Sequence, residues 1–469
     1  MKHIKIFLLS LASSISALGA DITVSPGQLE GLLEGVKNQT ELRLRGSIDA
    51  RDLAALENLS TGIKSLDLSS VTINGLIMPT RKYFGKTLFK EGEIPPYTFF
   101  KANTSTILLP ANMTIVGEGA FAGAEITEIT IPSGVTTIED YAFYGCPNLK
   151  KINLPSTLTY IGKGAFGNCL ALETVDLSES SITEIPDRAF AGAVMLEAVK
   201  LPAGVKKVGR EAFSHTRINS LNLSNVSEFE AYALSSMPFL TSLSINPDAE
   251  IGDGLLMDDI SLASLTGMPE FVPDFFAANC SEYEVSGMKN ASTLGKYSFA
   301  NTKTPEALVI GSRLSKIDRG ALSGLSGITK IDVVALEGNL PSVDEFSFEG
   351  ITPADIILLV NDDFINLWKS DPIWGTFQVQ PGGLTRIEEI ESDDNKGINI
   401  AYRQGIITVD SASAISDIRI FTAEGRTAYV ASPATVHAEI ETDNLPAGIL
   451  VVTATDEDGN TTTLSLYMK

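Results

Sequence analysis

Apolar and polar positions alternate in short bursts along most of the chain, and the bursts return with a nearly constant period. The clearest copy reads Ile126-Thr-Glu-Ile-Thr-Ile131, then Pro132, then Val135-Thr-Thr-Ile138, then Tyr141-Ala-Phe143. Alternation over the first burst predicts a short strand with one apolar side. Pro132 ends it, because proline brings no N–H to a ladder. Val135 to Ile138 starts a second short strand, and Ala142-Phe143 fills the turn that leads to the next copy. The frame returns at Leu149–Pro155 and Leu196–Pro202, and the Ala-Phe phrase at Ala120, Ala165, Ala189 and Ala212.

Weaker copies extend the array on both sides. The full set of anchors is Phe99, Phe121, Phe143, Phe166, Phe190, Phe213, Leu234, Leu256, Phe276, Phe299, Leu322 and Phe348, in steps of 20 to 26 residues. Such a period predicts stacked coils, each burying its apolar face only against its neighbours. Matching strands lie parallel at roughly 4.8 Å, so twelve anchors predict one continuous sheet about 55 Å long.

The flanks follow different rules. Ser25-Pro26-Gly27-Gln28 reads as a helix start, with Ser25 as N-cap and Gln28 closing a capping box. Leu29, Leu32, Leu33 and Val36 make its apolar stripe. Leu42 and Leu44 predict a strand. A second helix has Asp49 as N-cap and Leu53, Leu56 and Leu59 inward, and Leu66-Asp-Leu-Ser69 is the first repeat strand. Together these elements cover the open apolar end of the array. Residues 73–97, with Pro79, Pro95, Pro96 and a Lys/Arg cluster, read as an irregular excursion. At the other end Phe364, Leu367 and Trp368 fall at i, i+3 and i+4, so a short helix presents Phe364 and Trp368 to the last coil.

Past Pro381 a linker runs to residue 397. Seven short strands follow: Ile398–Arg403, Ile406–Val409, Ile418–Phe421, Ala428–Val430, Ala438–Thr442, Ile449–Thr455 and Thr461–Tyr467. Gly425, Pro446-Ala-Gly448 and Asp458-Gly459-Asn460 supply turns. The expected fold is therefore mostly β: a parallel-strand solenoid with capped ends, then a small β-sandwich. The expected segments are 1–20, 21–97 (cap and first coils), 98–380 (repeats with closing cap), 381–397 (linker) and 398–469 (sandwich).

Residues 1–20 read as a secretory signal: a basic Met1–Lys5, an apolar Ile6–Leu18, and small residues for cleavage near Gly19 or Ala20. No later run is long and apolar enough to span a bilayer. The 469 residues carry a net charge of −23. That balance argues against nucleic acid, whose affinity rests on Lys and Arg neutralising phosphates, and against anionic lipid.

The coil Leu149-Lys-Lys-Ile-Asn-Leu-Pro-Ser-Thr-Leu-Thr-Tyr-Ile-Gly-Lys-Gly-Ala-Phe-Gly-Asn-Cys169 resembles the BspA-type leucine-rich repeat of bacterial surface proteins. The cap ending at Ser69 and the closing Trp-containing helix are also similar to that family. The resemblance implies a leucine-rich-repeat solenoid with adhesive or ligand-binding roles. The tail, with Ile418-Arg-Ile-Phe-Thr-Ala-Glu-Gly-Arg426, Asn444-Leu-Pro-Ala-Gly-Ile-Leu-Val-Val452 and a strand ending at Lys469, resembles the C-terminal sorting domain of type IX secretion. It implies export to the outer-membrane surface or the exterior of a Gram-negative cell.

Candidate chemistry is sparse. Cys146, Cys169 and Cys280 hold one place in their repeats and read as small buried thiols, with a disulfide between coils as the alternative for Cys146 and Cys169. His215 and His437 are far apart in sequence and form no Cys/His zinc pattern with them. Asp456–Asn460 lacks the spaced ligands of a calcium loop and reads as a hairpin turn. No nucleophile elbow, phosphate loop or dinucleotide fingerprint stands in its required context, so neither an enzyme nor a cofactor is expected.

The natural binding surface is the outward face of the repeated first strand: Glu128 and Thr130, Lys151 and Asn153, Thr174 and Asp176, Lys200, and Asn222. It is small, polar and mixed in charge. It suits a protein or peptide ligand better than a small molecule, which prefers an apolar pocket. A glycan is the alternative partner, favoured if Phe271, Phe275, Phe276 or Tyr283 are exposed.

Overall fold

The structure is a computed structural model. It describes residues 14–15, 19–36, 38–56, 62–77, 87–285, 288–305, 307–333, 340–382, 389–391, 398–403, 406–422, 426–441, 445 and 448–468. The basic start and most of the apolar stretch of the expected signal, Leu59, Pro79, the basic cluster at 81–86, and the turns at Gly425 and Pro446-Ala447 lie outside these residues.

Each coil is built from two short parallel strands and one tight turn. First strands stack in register, Glu128–Thr130 on Lys151–Asn153 and Thr174–Asp176 on Ala198–Lys200. Their middle residues Ile129, Ile152 and Val175 are buried and their flanks exposed. Second strands stack likewise, Thr137–Ile138 on Tyr160–Ile161.

The turn is where the phenylalanine enters the core. Phe143 is flanked by left-handed residues at Tyr141 (φ 56°) and Gly145 (φ 68°), and Phe166 by Gly164 (φ 60°) and Asn168 (φ 55°). This conformation costs an L-residue about 1–2 kcal/mol. It is offset by backbone bonds that run along the solenoid axis, Phe143 N to Ala165 O at 2.8 Å and Phe166 N to Ala189 O at 2.9 Å.

The anchors line up as a stack. Phe99, Phe121, Phe143, Phe166, Phe190 and Phe213 are buried, with successive ring centroids 5.0, 5.0, 5.6, 5.5 and 5.5 Å apart. One hydrophobic cluster runs from Ala20 to Val379.

One anchor is shifted. The left-handed pair in its coil is Phe275 (φ 57°) and Asn279 (φ 65°), which brackets Ala277. Ala277 N donates to Ser298 O at 2.8 Å, the bond an anchor makes elsewhere. Phe276 fills the place of the preceding alanine and meets Phe299 edge-on at 6.0 Å rather than stacking.

The expected continuous sheet is three sheets. The first strands form a nine-stranded ladder ending at Ala198–Lys200, a three-stranded one from Ser220–Leu223 to Ser264–Thr266, and a four-stranded one from Ala307–Ile310 to Gln378–Pro381. In the coil between the second and third of these, Glu284 pairs with Lys303 as an isolated parallel bridge and Met288–Asn290 is a 3-10 turn.

At the N-terminal end a strand, Gly19–Val24, precedes the first helix and pairs with Glu41–Ile48. The helix, Leu29–Leu32, is not capped by Ser25 as expected: Gln28 occupies the N-cap and makes no side-chain cap bond. The carboxylate of buried Asp52 does the work from the second helix, accepting Gly27 N at 2.7 Å and Leu29 N at 2.9 Å. Asp49 caps that second helix as expected, accepting Arg51 N at 2.9 Å. The excursion is shorter than expected, since Glu93–Ile94 is already a regular second strand paired with Ile115–Val116.

At the far end Trp368 and Trp374 are buried and cross at 5.1 Å, and Trp374 Nε1 donates to Pro341 O at 3.1 Å. Phe364 is half-buried as expected of a cap, whereas Leu367 points to solvent. Beyond it, part of the expected linker is ordered as a strand, Glu389–Glu391, on Ala401–Arg403. All seven expected tail strands are present, in two four-stranded antiparallel sheets around a core that includes Ile400, Ile407, Ile420 and Val452.

Candidate functional site

The first-strand face carries the eight candidate residues, Glu128, Thr130, Lys151, Asn153, Thr174, Asp176, Lys200 and Asn222, and all are exposed. Alternation puts them there, because their neighbours Ile129, Ile152, Val175 and Leu223 must be buried. Register joins them in pairs. Asn153 Nδ2 donates to Thr130 Oγ1 at 2.9 Å, and Lys200 Nζ lies 2.9 Å from Asp176 Oδ2. Asn222 stands on the second ladder, apart from the other seven.

Two members also shape the backbone. Asp176 Oδ1 accepts the amide and hydroxyl of Ser178, and Asn222 Oδ1 does the same for Ser224. The Ser178 hydroxyl, with Lys200, holds the Asp176 carboxyl down to about 2. The face is thus a flat, pre-ordered polar lattice rather than a pocket.

The corner just before the first strand is apolar, which sequence reading missed. Leu170, Val194, Met195, Phe239 and Ile260 are exposed there on four of five successive coils, the coil of Phe213 presenting Arg217 instead. The Arg217 guanidinium lies over the Phe239 ring at 4.9 Å. The missed signal was an apolar residue one or two places after the position held by Cys169.

The proposed aromatic patch divides. Phe271 is exposed at 67%, whereas Phe276 and Tyr283 are buried. Phe275 is stacked on Tyr297 at 5.6 Å.

A different set of exposed aromatics stands on the turn face: Tyr97, Phe100, Tyr141 and Tyr144, with Tyr160 on the second strand. They form two perpendicular pairs. Tyr97 meets Phe100 at 6.1 Å and Tyr141 meets Tyr144 at 5.7 Å, both at 88°. Sequence reading took Tyr141 only as part of the repeat frame.

The thiols are core groups. All three cysteines are free and buried, which rules out the disulfide alternative. Each donates to a carbonyl of the preceding coil: Cys146 to Phe121 O, Cys169 to Phe143 O and Cys280 to Leu256 O. Cys169 beside it, together with burial, pushes the Cys146 thiol well above its usual range. His215 is an exposed turn residue with φ 61°. His437, in the tail, lies 2.6 Å from Asp410 and 3.4 Å from Glu439, which raise its pKa. Asp456 Oδ1 accepts Asn460 N at 2.9 Å and closes a hairpin turn. Among the described residues no group of three or more His, Cys, Asp or Glu side chains is placed to hold a metal, and no helix is long and apolar enough to cross a membrane.

The sequence profile of the family described as "BspA type Leucine rich repeat region" matches residues 92–192, 178–273 and 270–362. No curated protein matches the chain. Among solved structures, a leucine-rich repeat protein from Bacteroides ovatus is similar, at 21% identity and a TM-score of 0.60, covering 78% of this chain and 92% of its own. The pneumococcal vaccine antigen PcpA is similar at 16% identity and a TM-score of 0.42, covering 74% of this chain and 80% of its own. A leucine rich cell surface protein from Faecalibacterium prausnitzii is similar at 18% identity and a TM-score of 0.34, covering 69% and 93%.

Proposed function

Since the chain belongs to the BspA-type leucine-rich repeat family, we propose that it is a secreted or cell-surface protein that binds a macromolecular partner without catalysis. The observation that supports this is the first-strand face, where Glu128 to Lys200 form an exposed, in-register lattice. Such a surface offers backbone-fixed donors and acceptors over several coils, which fits the extended contact of a protein or peptide. Its mixed charge selects no polyanion.

The test is binding of the full chain to an array of extracellular proteins, compared with a Thr174→Arg variant. Arginine there plants a long cation in the middle of the lattice while leaving the buried positions alone. Binding to a protein that Thr174→Arg abolishes is the expected result. Undiminished binding, or turnover of a substrate, removes this reading.

The tail serves surface sorting in the same proposal, and the cell is Gram-negative. The support is the seven antiparallel strands with the residue pattern of Ile418–Arg426 and Asn444–Val452. Truncation near Gly383 is expected to abolish surface display, and display at full level would exclude the sorting role.

A further inference from the structure

The aromatic pairs on the turn face lie on a different side of the coil from the first-strand lattice, and nothing in the binding proposal uses them. Tyr97 and Phe100 belong to the coil of Phe99, and Tyr141 and Tyr144 to that of Phe143, two steps on. The coil between presents Gly119, Ala122 and Gly123 at the places of Tyr97, Phe100 and Lys101, with the Glu118 side chain beside Tyr97. Two coil steps make roughly 10 Å. In each pair the rings stand at right angles, so each forms an L-shaped corner open to solvent.

Polar groups border the corners. Glu118 Oε1 accepts the Tyr97 hydroxyl at 2.6 Å, Glu139 Oε2 accepts Glu118 N at 2.9 Å, and Asp140 Oδ1 accepts Lys163 N at 2.8 Å. Tyr160 pairs in register with Thr137, on the strand that leads into Glu139 and Asp140, and burial, followed by the charges of Asp140, Glu184 and Glu139, pushes its hydroxyl up. A carboxylate has about four acceptor sites, so Glu118 and Asp140 have more than the bonds named here take up. Tyr144 Oη takes its bond from Asn168 Nδ2 at 2.6 Å, which fixes that ring.

Acidic groups outnumber basic ones here, since Glu118, Glu139, Asp140, Glu184, Asp187 and Glu211 stand against Lys101, Lys163 and Arg188. Lys101 lies over the Phe100 ring at 5.1 Å, Lys163 pairs with Asp187 at 3.2 Å, and Arg188 pairs with Glu211 at 2.9 Å. The acidic excess disfavours a polyanion, and the polylysine arm below separates a polycation from a neutral chain. The paired rings span three coils.

From this we infer that the Tyr97–Phe100 and Tyr141–Tyr144 corners form a binding site for a neutral oligosaccharide. Apolar sugar faces pack on the rings, and sugar hydroxyls donate to Glu118, Glu139 and Asp140. The geometry repeats at the interval of the two pairs, so the ligand is a chain of several sugar units rather than a monosaccharide.

The experiment is affinity electrophoresis of the full chain in gels containing dextran, mannan, arabinoxylan or mixed-linkage β-glucan, with polylysine as a separate arm. Retardation by at least one polysaccharide is expected. Phe100→Ala and Tyr144→Ala should each weaken it about tenfold, the effect of removing roughly 60 Å² of apolar contact. Phe239→Ala, an exposed aromatic elsewhere, should leave it unchanged, as should Thr174→Arg on the sheet face. Tyr160→Ala is the companion variant should a ring in either pair prove necessary for folding, and it too should weaken retardation. Retardation by none of the polysaccharides, or retardation indifferent to these substitutions, overturns the site. Polylysine binding lost in the same variants, without polysaccharide binding, overturns the assignment in favour of a cation receptor.

Discussion

The Tyr141 ring occupies the space that a side chain on Gly164 would need. A methyl carbon built on Gly164 would lie 2.7 Å from Tyr141 Cε1 and 2.8 Å from Cδ1. Gly119 stands in the same relation to Tyr97, and Gly254 and Gly320 to Tyr232 and Tyr297. Both members of each pair are left-handed, so tyrosine coils and glycine coils interlock along the turn face.

Gly164→Ala therefore meets two penalties, the left-handed backbone and the ring. We expect a loss of about 2–3 kcal/mol in urea unfolding. Gly145→Ala is the control: its φ is 68° but no atom lies within 4 Å of the added carbon, so it should cost only about 1 kcal/mol. Adding Tyr141→Ala to Gly164→Ala should recover the excess. Equal costs at the two glycines would show that the ring moves aside freely.

The aromatic stack sets a second expectation. Phe166 is fully buried between Phe143 and Phe190. Phe166→Ala should cost about 3–5 kcal/mol, and Phe166→Leu clearly less, because leucine refills most of the volume. Unfolding midpoints of the two variants check this.

Asp259 is a buried acid in the column that elsewhere holds Cys169 and Cys280. Its Oδ1 accepts Met237 N at 2.7 Å, and its Oδ2 has no partner. Burial pushes its pKa well above the usual carboxylate value. The folded state therefore holds the proton more tightly than the unfolded chain. Its contribution favours folding at acid pH and is lost as pH rises from about 4, the unfolded value, towards the folded one. The difference in stability between wild type and Asp259→Asn should accordingly grow in favour of the asparagine variant as pH is raised from 4 to 8. A difference constant with pH would mean that the carboxyl is ionised throughout.

The thiols give a fourth test. Cys146, Cys169 and Cys280 are buried, and the pKa values of Cys146 and Cys280 are raised, whereas a thiolate is the reactive form. A colorimetric disulfide reagent should find no fast-reacting thiol in the folded chain and three after unfolding. Rapid reaction of any one in the native state would contradict the packing.

The interior was the most legible part of the sequence, and the reason is the period itself. Phe143, Phe166 and Phe190 recur where a coil must turn, so alignment alone places them in one stack. Where two phenylalanines adjoin, at Phe275-Phe276, the period is ambiguous by one residue, and backbone handedness puts Ala277 in the anchor site. Asp52 was illegible as a cap because it lies 23 residues from the amide of Leu29 that it receives; a capping box is a local signal and this is a tertiary one. The binding-face residues were readable from alternation. The aromatic corners were not, because exposure of Tyr97 and Tyr144 depends on how the turn is wound. The recurrence of tyrosine or glycine two places before the anchor was the available clue.

The interlocking of Tyr141 with Gly164 bears on how such an array can lengthen or shorten. Excising only the coil that carries Gly164 would seat the Tyr141 ring against Arg188, where a side chain replaces bare backbone. Excising the two coils that carry Gly119 and Tyr141 instead would seat the Tyr97 ring on Gly164 and keep the fit. Between Tyr97 and Gly164 the tolerated step in length is accordingly two turns, a grain that a single-coil repeat unit would conceal.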